Sequence, residues 1–106
     1  MDQQLFELFD QSRGQIQKYR GMKSAAIHHK EKLELARAVA AILAMRSGTV
    51  SADEVGEALL KGYGIKTLGP AGGSLFKGKQ WVWTGNWIAS TRVSNHGRML
   101  RVWKLR

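Results

Sequence analysis

The cations of this chain are the residues best placed to do chemistry, because their excess charge is confined to one half. The formal net charge is +9, and all eight Asp and Glu residues lie within residues 1–57, where Lys and Arg balance them. The half without acids, residues 58–106, contains Lys61, Lys66, Lys77, Lys79, Arg92, Arg98, Arg101, Lys104 and Arg106. Such a surface is typical of proteins that bind the phosphates of nucleic acid, although a generally basic protein has the same composition.

Four Trp residues lie in the same half, at Trp81, Trp83, Trp87 and Trp103. Exposed aromatic rings stack on unpaired bases in single-strand-binding proteins, where each stack contributes about 1–3 kcal/mol. The more common location of such rings is the hydrophobic core. We expect Trp81, Trp87 and Trp103 to cover the helices, which leaves Trp83 as the best exposed candidate.

Several classes of catalytic and metal site are excluded by residues that the chain lacks. It has no Cys, which rules out disulfides, cysteine nucleophiles and cysteine-ligated zinc. Metal-dependent nucleases need clustered carboxylates, and the basic half has none. The glycine-rich run at residues 69–73 lacks the Gly-Lys-Ser/Thr ending of a phosphate-binding P-loop, and His96 stands alone in its loop. We therefore predict no enzymatic activity, no metal and no cofactor.

The composition indicates one folded domain inside the cell. Of the 106 residues, 43% are apolar and only one is Pro, which is far from the composition of a disordered chain. The first residues carry acids where a secretion signal carries cations. No apolar run approaches the roughly 18 residues of a membrane span. A cytoplasmic location follows as the expectation.

Two helices are predicted before residue 48 to position these groups. Apolar residues at helical spacing indicate the first over residues 3–20, with surplus apolar surface at its N-terminal end, and the second over residues 24–46. His28 and His29 would lie next to each other on the second helix and point in different directions, which disfavours joint metal binding. Gly48 then ends that helix.

A third, short helix begins with a capping box, in which Ser51 and Glu54 satisfy each other's backbone amides. Gly62 or Gly64 ends it. The following run at residues 69–77 has Pro at a first-turn position but two adjacent Gly residues, so its composition favours a loop.

Two antiparallel strands are predicted at the C-terminal end of the chain. β-branched and aromatic residues occur in two short runs, at residues 81–88 and 99–103. The connection between them, residues 90–98, is polar and basic and too long for a tight turn. The chain is therefore α+β and mainly helical.

This order of elements resembles a winged helix-turn-helix domain over residues 25–104, with an extra N-terminal helix and a C-terminal two-stranded wing. The second half is similar to a group of small, mostly bacteriophage-encoded winged-helix proteins of largely uncharacterised function. The chain departs from that group at Val93, where Pro is usual, and at Gly72 and Gly73, where a more helical segment is usual. The matching residues are Thr84-Gly85, Trp87, Ser90-Thr91-Arg92, Ser94, His96-Gly97-Arg98 and Val102-Trp103.

The resemblance implies a role for each basic segment. Residues 70–79 would be the recognition helix that enters a major groove, and residues 90–98 would be the wing, which lies over a neighbouring backbone or minor groove. Most contacts would be made with phosphates. The predicted nucleic-acid-binding residues are Lys66, Ser74, Lys77, Lys79, Arg92, Asn95, His96, Arg98 and Arg101.

The leading hypothesis is a duplex DNA-binding protein, a phage-type transcription regulator or an accessory factor in DNA metabolism, which acts in the host cytoplasm. Residues 23–106 would form the binding domain, and residues 1–22 a helix that contributes to a homodimer. Two alternatives stay open. One is a winged-helix module that docks on a host or phage protein, and the other is a binder of single-stranded DNA or RNA.

Overall fold

The computed structural model describes residues 3–22, 26–92 and 96–106, with the backbone alone at residues 69–71. Three helices precede a two-stranded antiparallel hairpin that packs on the second helix, so the predicted α+β class is confirmed. The elements are α1 (Gln3–Tyr19), α2 (His29–Ser47), α3 (Ala52–Tyr63), a 3-10 helix (Gly69–Ser74), β1 (Trp81–Ala89) and β2 (Met99–Leu105).

Helix α1 packs along α2 and joins the same hydrophobic core. Tyr19, at its last turn, is buried, and its hydroxyl donates a hydrogen bond of 2.7 Å to the Glu31 carboxylate on α2. The Tyr63 hydroxyl of α3 donates to the Ile16 carbonyl at 3.2 Å. Buried hydroxyls need such partners because an unpaired polar group is costly to remove from water. The N-terminal helix is thus tied to both other helices.

Helix α2 begins later than its periodicity predicts. Residues 26–28 are not part of the α-helix, and His28 has an extended backbone with φ −66° and ψ 154°. The His28 backbone amide donates to the Glu31 carboxylate at 3.2 Å, which makes His28 the N-cap. The predicted placement of His28 on the helix is therefore wrong, and His29 is the first helical residue. Ser24, the predicted start, lies outside the described residues.

The buried face of α2 combines branched and small side chains. Leu35, Val39 and several Ala residues are buried there, against α1, α3 and β2. Ala lets neighbouring elements approach closely and also has the highest helix propensity. Helix α2 is consequently the central element of the core.

Helix α3 starts and ends as predicted. The reciprocal capping box of Ser51 and Glu54 is present, with the Ser51 amide donating to the Glu54 carboxylate at 3.1 Å. Gly64 follows the helix in the left-handed conformation, with φ 68°, which a residue with a Cβ adopts at a cost. The start of α3 is also tied to the hairpin, because Val50 forms an antiparallel bridge with Trp103.

The predicted recognition helix is not a regular helix of ten residues. A 3-10 helix covers Gly69–Ser74, and turns follow up to residue 80. Two adjacent Gly residues make a longer α-helix unfavourable. Leu75 is then buried, and the Phe76 ring packs edge-on to Trp81 at 5.0 Å and stacks on Trp103 at 5.3 Å. Part of this segment therefore serves the core rather than an outer surface.

The order α2, bridge at Val50, α3, 3-10 helix and hairpin is compatible with a winged helix-turn-helix. Within the described ranges, no helix has both the length and the apolar character needed to cross a membrane.

Candidate nucleic-acid interface

The predicted wing is anchored at its base by an acid on α3. The Asp53 carboxylate accepts hydrogen bonds from the Ser90 hydroxyl at 2.8 Å and from the Thr91 backbone amide at 2.8 Å. Ser90 is buried, and its backbone amide donates to the Arg98 carbonyl at 2.8 Å, closing the loop. Ser90 and Thr91, two of the residues that carry the family resemblance, therefore fix the loop to α3.

Arg92 turns back towards the domain. Its Nη2 donates to the Lys66 carbonyl at 3.0 Å, and its backbone amide donates to the Ser90 hydroxyl at 3.2 Å. A Cβ on Gly56 of α3 would lie 3.0 Å from Arg92 Nη1, so the guanidinium crosses the helix where glycine leaves room. Arg92 and Lys66, both predicted site residues, are thus brought together, and the Arg92 side chain has a structural contact.

Residues 96–98, the described part of the loop after Arg92, are exposed. His96 has a positive φ of 49°, which is uncommon for a residue with a side chain, and Gly97 follows with φ 73°. The Arg98 side chain points away from the core, because the residue is exposed although its carbonyl is held by Ser90. Asn95, also predicted as a contact, lies outside the described residues. Arg98 is accordingly the best placed wing residue for a phosphate.

Three of the other predicted contacts, Ser74, Lys77 and Lys79, lie at the opposite end of the hairpin. The Ser74 carbonyl accepts from Arg37 Nη2 of α2 at 2.9 Å, and the Lys79 carbonyl accepts from Arg106 Nε at 2.6 Å. Lys77 and Lys79 are exposed. Lys79 lies two residues before β1, at one end of the hairpin, and Arg98 lies one residue before β2, at the other end. The length of the strands therefore separates the two residues by about 20 Å. The predicted residues therefore form no single compact patch: one group lies near the loop, another lies at the opposite end, and Arg101 lies on β2 between them.

A bulge in the hairpin creates a cluster that the sequence did not indicate. Trp83 pairs with Trp103 and Trp87 pairs with Arg101, so three residues of β1 lie opposite Val102 alone. Without the two extra residues, Gly85 would face Arg101. The bulge is held by the Thr84 hydroxyl, which donates to the Val102 carbonyl at 2.8 Å.

We call Trp83, Trp87 and Arg101 the aromatic cluster. The two rings meet edge to face at 5.3 Å, and the Arg101 guanidinium lies 4.7 Å from the Trp83 centroid and 5.4 Å from that of Trp87. Trp83 is 39% exposed, as its predicted role requires, and Trp87 is 49% exposed. The prediction that Trp87 covers the helices is wrong, because its ring packs on Trp83 and Arg101 outside the hydrophobic core.

The groups near the loop have no geometry suited to metal binding. Among the described residues, no three His, Asp or Glu side chains gather where they could hold an ion. The acid nearest the loop, Asp53, is occupied by Ser90 and Thr91. What the arrangement offers to a ligand is positive charge and exposed aromatic surface.

Comparisons with known proteins found no match: no protein family model, no curated protein and no solved structure matches this chain.

Two functional features escaped sequence reasoning. Asp53 lies in the first turn of α3, where an acid suits the positive end of the helix dipole, but its hydrogen-bond partners lie 37 and 38 residues away. Arg101 had been counted as a cation only, because its ring contacts depend on the strand register. Neither relation has a local pattern that periodicity or spacing reveals.

Proposed function

We propose that this chain is a non-enzymatic DNA-binding protein that contacts duplex DNA through its acid-free half, with the loop at residues 90–98 as a wing. The observation that carries the proposal is the set of exposed cations after Glu57, a stretch without a single carboxylate side chain. Lys66, Lys77 and Arg98 are all exposed. Phosphates are the ligand that such a surface attracts most strongly.

The geometry of the loop supports phosphate contacts. Asp53 holds its base against α3, which lowers the entropy that a free loop would lose on binding. Arg98 extends from that fixed base. A guanidinium in such a position can bind a phosphate through two hydrogen bonds.

The short recognition segment favours weak sequence specificity. A six-residue 3-10 helix with Leu75 and Phe76 directed to the core presents few side chains to base edges. Backbone contacts position a protein on DNA without reading sequence. We therefore favour an accessory factor in DNA metabolism over a sequence-specific transcription regulator.

A salt series tests the proposal. We expect fluorescence anisotropy with a labelled 20-base-pair duplex to show binding that weakens steeply with salt, because each neutralised phosphate contributes about 0.9 units to the slope of log K against log salt. Undetectable binding at low salt, or binding that salt does not change, would contradict the proposal.

Single substitutions locate the contact. Arg98→Ala should reduce the salt slope by about one unit, since the side chain is free to reach a phosphate. Arg92→Ala should reduce it less and lower the melting temperature instead, because this guanidinium already binds the Lys66 carbonyl. Lys30→Ala, an exposed α2 cation in the balanced half, is the matched control and should leave the slope unchanged.

The homodimer remains part of the proposal. Phe6 on α1 is 54% exposed, and exposed apolar surface of this kind favours association. Sedimentation at tens of micromolar should show a dimer, and Phe6→Ser should shift it towards monomer. If the unmodified chain is strictly monomeric, the proposed homodimer is wrong.

A further inference from the structure

The aromatic cluster is a surface feature that duplex phosphate binding leaves unexplained. Trp83 and Trp87 keep two-fifths to half of their surface in solvent, although Trp is a residue that folding usually buries. Their ring contacts are with each other and with Arg101, and neither ring is part of the hydrophobic core. Packing of the core therefore does not explain why these two rings are exposed.

The cluster is ordered before any ligand arrives. The Trp83 indole nitrogen donates to the Asn86 carbonyl at 3.0 Å, and the Asn86 amide donates to the Thr84 hydroxyl at 3.2 Å. The bulge thus fixes the Trp83 ring, and the Trp87 ring packs against it. A preordered aromatic surface loses little conformational entropy when a flat group stacks on it.

The charge around the cluster selects the kind of flat group. Arg101 places a guanidinium against both rings, and no residue after Glu57 contributes a carboxylate side chain. A partner that matches both properties has a π-face and negative charge in the same unit. Nucleotides have this combination, because each base is attached to a phosphate.

We propose that the aromatic cluster is a stacking site for an unpaired nucleobase, so that the protein binds nucleic acid with single-stranded segments in addition to duplex. Bases in an intact duplex are stacked on each other and do not offer a free face. The site would therefore engage a single strand or the single-stranded side of a junction. This inference rests on the proposed function, since phosphate attraction brings the strand to the hairpin.

Two probes of equal charge separate the contribution of the bases to binding from that of the phosphates. One is a 12-nucleotide thymine oligomer, and the other is a 12-nucleotide oligomer of abasic sites, which has the same phosphates and no bases. The full-length protein should bind the thymine oligomer about 10-fold more tightly than the abasic one, near the lower end of what a base–aromatic stack contributes. Fluorescence of the exposed Trp residues should be quenched by the thymine oligomer only.

Substitutions at Trp87 assign the effect to the ring. Trp87→Leu keeps an apolar side chain and removes the π-face. Its affinity for the thymine oligomer should fall about 10-fold, and its affinity for the abasic oligomer should not change. Trp87→Phe keeps a smaller aromatic ring, so its affinity for the thymine oligomer should fall less than that of Trp87→Leu. Ile88→Ala, which removes an exposed apolar side chain from the adjacent strand position, is the matched control and should bind both oligomers like the unmodified protein.

Each other outcome overturns the inference in a distinguishable way. Equal affinity for both oligomers, unchanged in Trp87→Leu, removes the stacking site and leaves duplex binding intact if a 12-base-pair duplex still binds with a steep salt slope. Failure of all nucleic-acid probes at low salt removes the proposed function as well. If an oligo-glutamate binds as tightly as the thymine oligomer and its binding depends on Trp87 in the same way, the ligand of the aromatic cluster is an acidic peptide and not a nucleobase.

Discussion

At the base of the hairpin, Trp81 and Trp103 pack on Phe76, whereas further along the same two strands Trp83 and Trp87 pack on each other and on Arg101. The residue types are the same, but Trp81 is 5% exposed and Trp87 is 49% exposed. Trp81 and Trp103 belong to or pack against the hydrophobic core, whereas Trp83 and Trp87 are not part of it. Aromatic residues in one hairpin therefore support folding at one end and remain available for a ligand at the other.

The largest difference between the two ends should appear in stability. We expect Trp81→Ala to reduce the free energy of unfolding by about 3–5 kcal/mol, because it leaves a cavity in the core. Trp87→Ala should change it by no more than about 0.5 kcal/mol, as exposed substitutions usually do. Urea unfolding followed by circular dichroism measures both values.

A milder core variant keeps this comparison measurable if Trp81→Ala does not fold. Trp81→Phe retains an aromatic ring beside Phe76 and removes an indole N–H that has no hydrogen-bond partner among the described residues. It should therefore cost clearly less than Trp81→Ala. Equal losses for Trp81→Ala and Trp87→Ala would break the distinction between the two ends.

Asp53 joins the packed part of the molecule to the exposed loop, and its replacement should have an intermediate effect. Asp53→Ala removes the acceptor of Ser90 and Thr91 and should cost roughly 2 kcal/mol of stability, the usual value for hydrogen bonds to a charged group. It should also weaken duplex binding, because the loop loses its anchor. Urea unfolding and the anisotropy assay provide the two measurements.

The control for this prediction separates position from charge. Asp53→Asn removes the negative charge but keeps an acceptor oxygen, so it should hold the loop and bind duplex slightly more tightly. If Asp53→Ala also bound more tightly, the carboxylate would act only through its charge, and the anchoring role would be wrong.

The smallest expected effect is a pH dependence confined to the packed end. The hydrogen bond from the Tyr19 hydroxyl lowers the pKa of Glu31 below its usual value of 4.5, and the His28 amide adds to this. A lowered folded-state pKa means that the stabilisation is present above pH 4.5 and is lost as the pH falls through the folded value. Acid should therefore weaken the junction of α1 and α2 first.

Tyr19→Phe tests this sign. Its deficit in unfolding free energy relative to the unmodified protein should be full at pH 7 and should shrink as the pH falls below 4.5 towards the lowered folded-state pKa, below which Glu31 is protonated in both folded and unfolded chains. Urea unfolding at pH 7, 4 and 3 measures the change. Trp87→Leu is the control, and its difference in unfolding free energy from the unmodified protein should be the same at all three pH values. A Tyr19→Phe deficit independent of pH would show that the carboxylate charge contributes nothing there.

Local patterns predicted much of the fold correctly. The periodicity of α1 and α3, the capping box at Ser51 and the two β-rich runs all depend on residues within one element, and each is confirmed. The predicted start of α2 was wrong because the extended His28 and its hydrogen bond to Glu31 make the helix begin later than apolar spacing suggests. The recognition helix that the resemblance implied at residues 70–79 is a six-residue 3-10 helix followed by turns, which is closer to the loop that the composition favoured, because glycine and core packing compete with an α-helix.

The sequence by itself determined the separation of charge along the chain, the boundaries of the capped helix α3, and the presence of a C-terminal hairpin. Only the tertiary structure decided that Asp53 holds Ser90, that Arg92 contacts Lys66, and that a bulge brings Trp87 opposite Arg101. The physical reason is distance along the chain. Contacts between residues 14 to 37 positions apart depend on how whole elements pack, and that packing leaves no periodic trace in either segment.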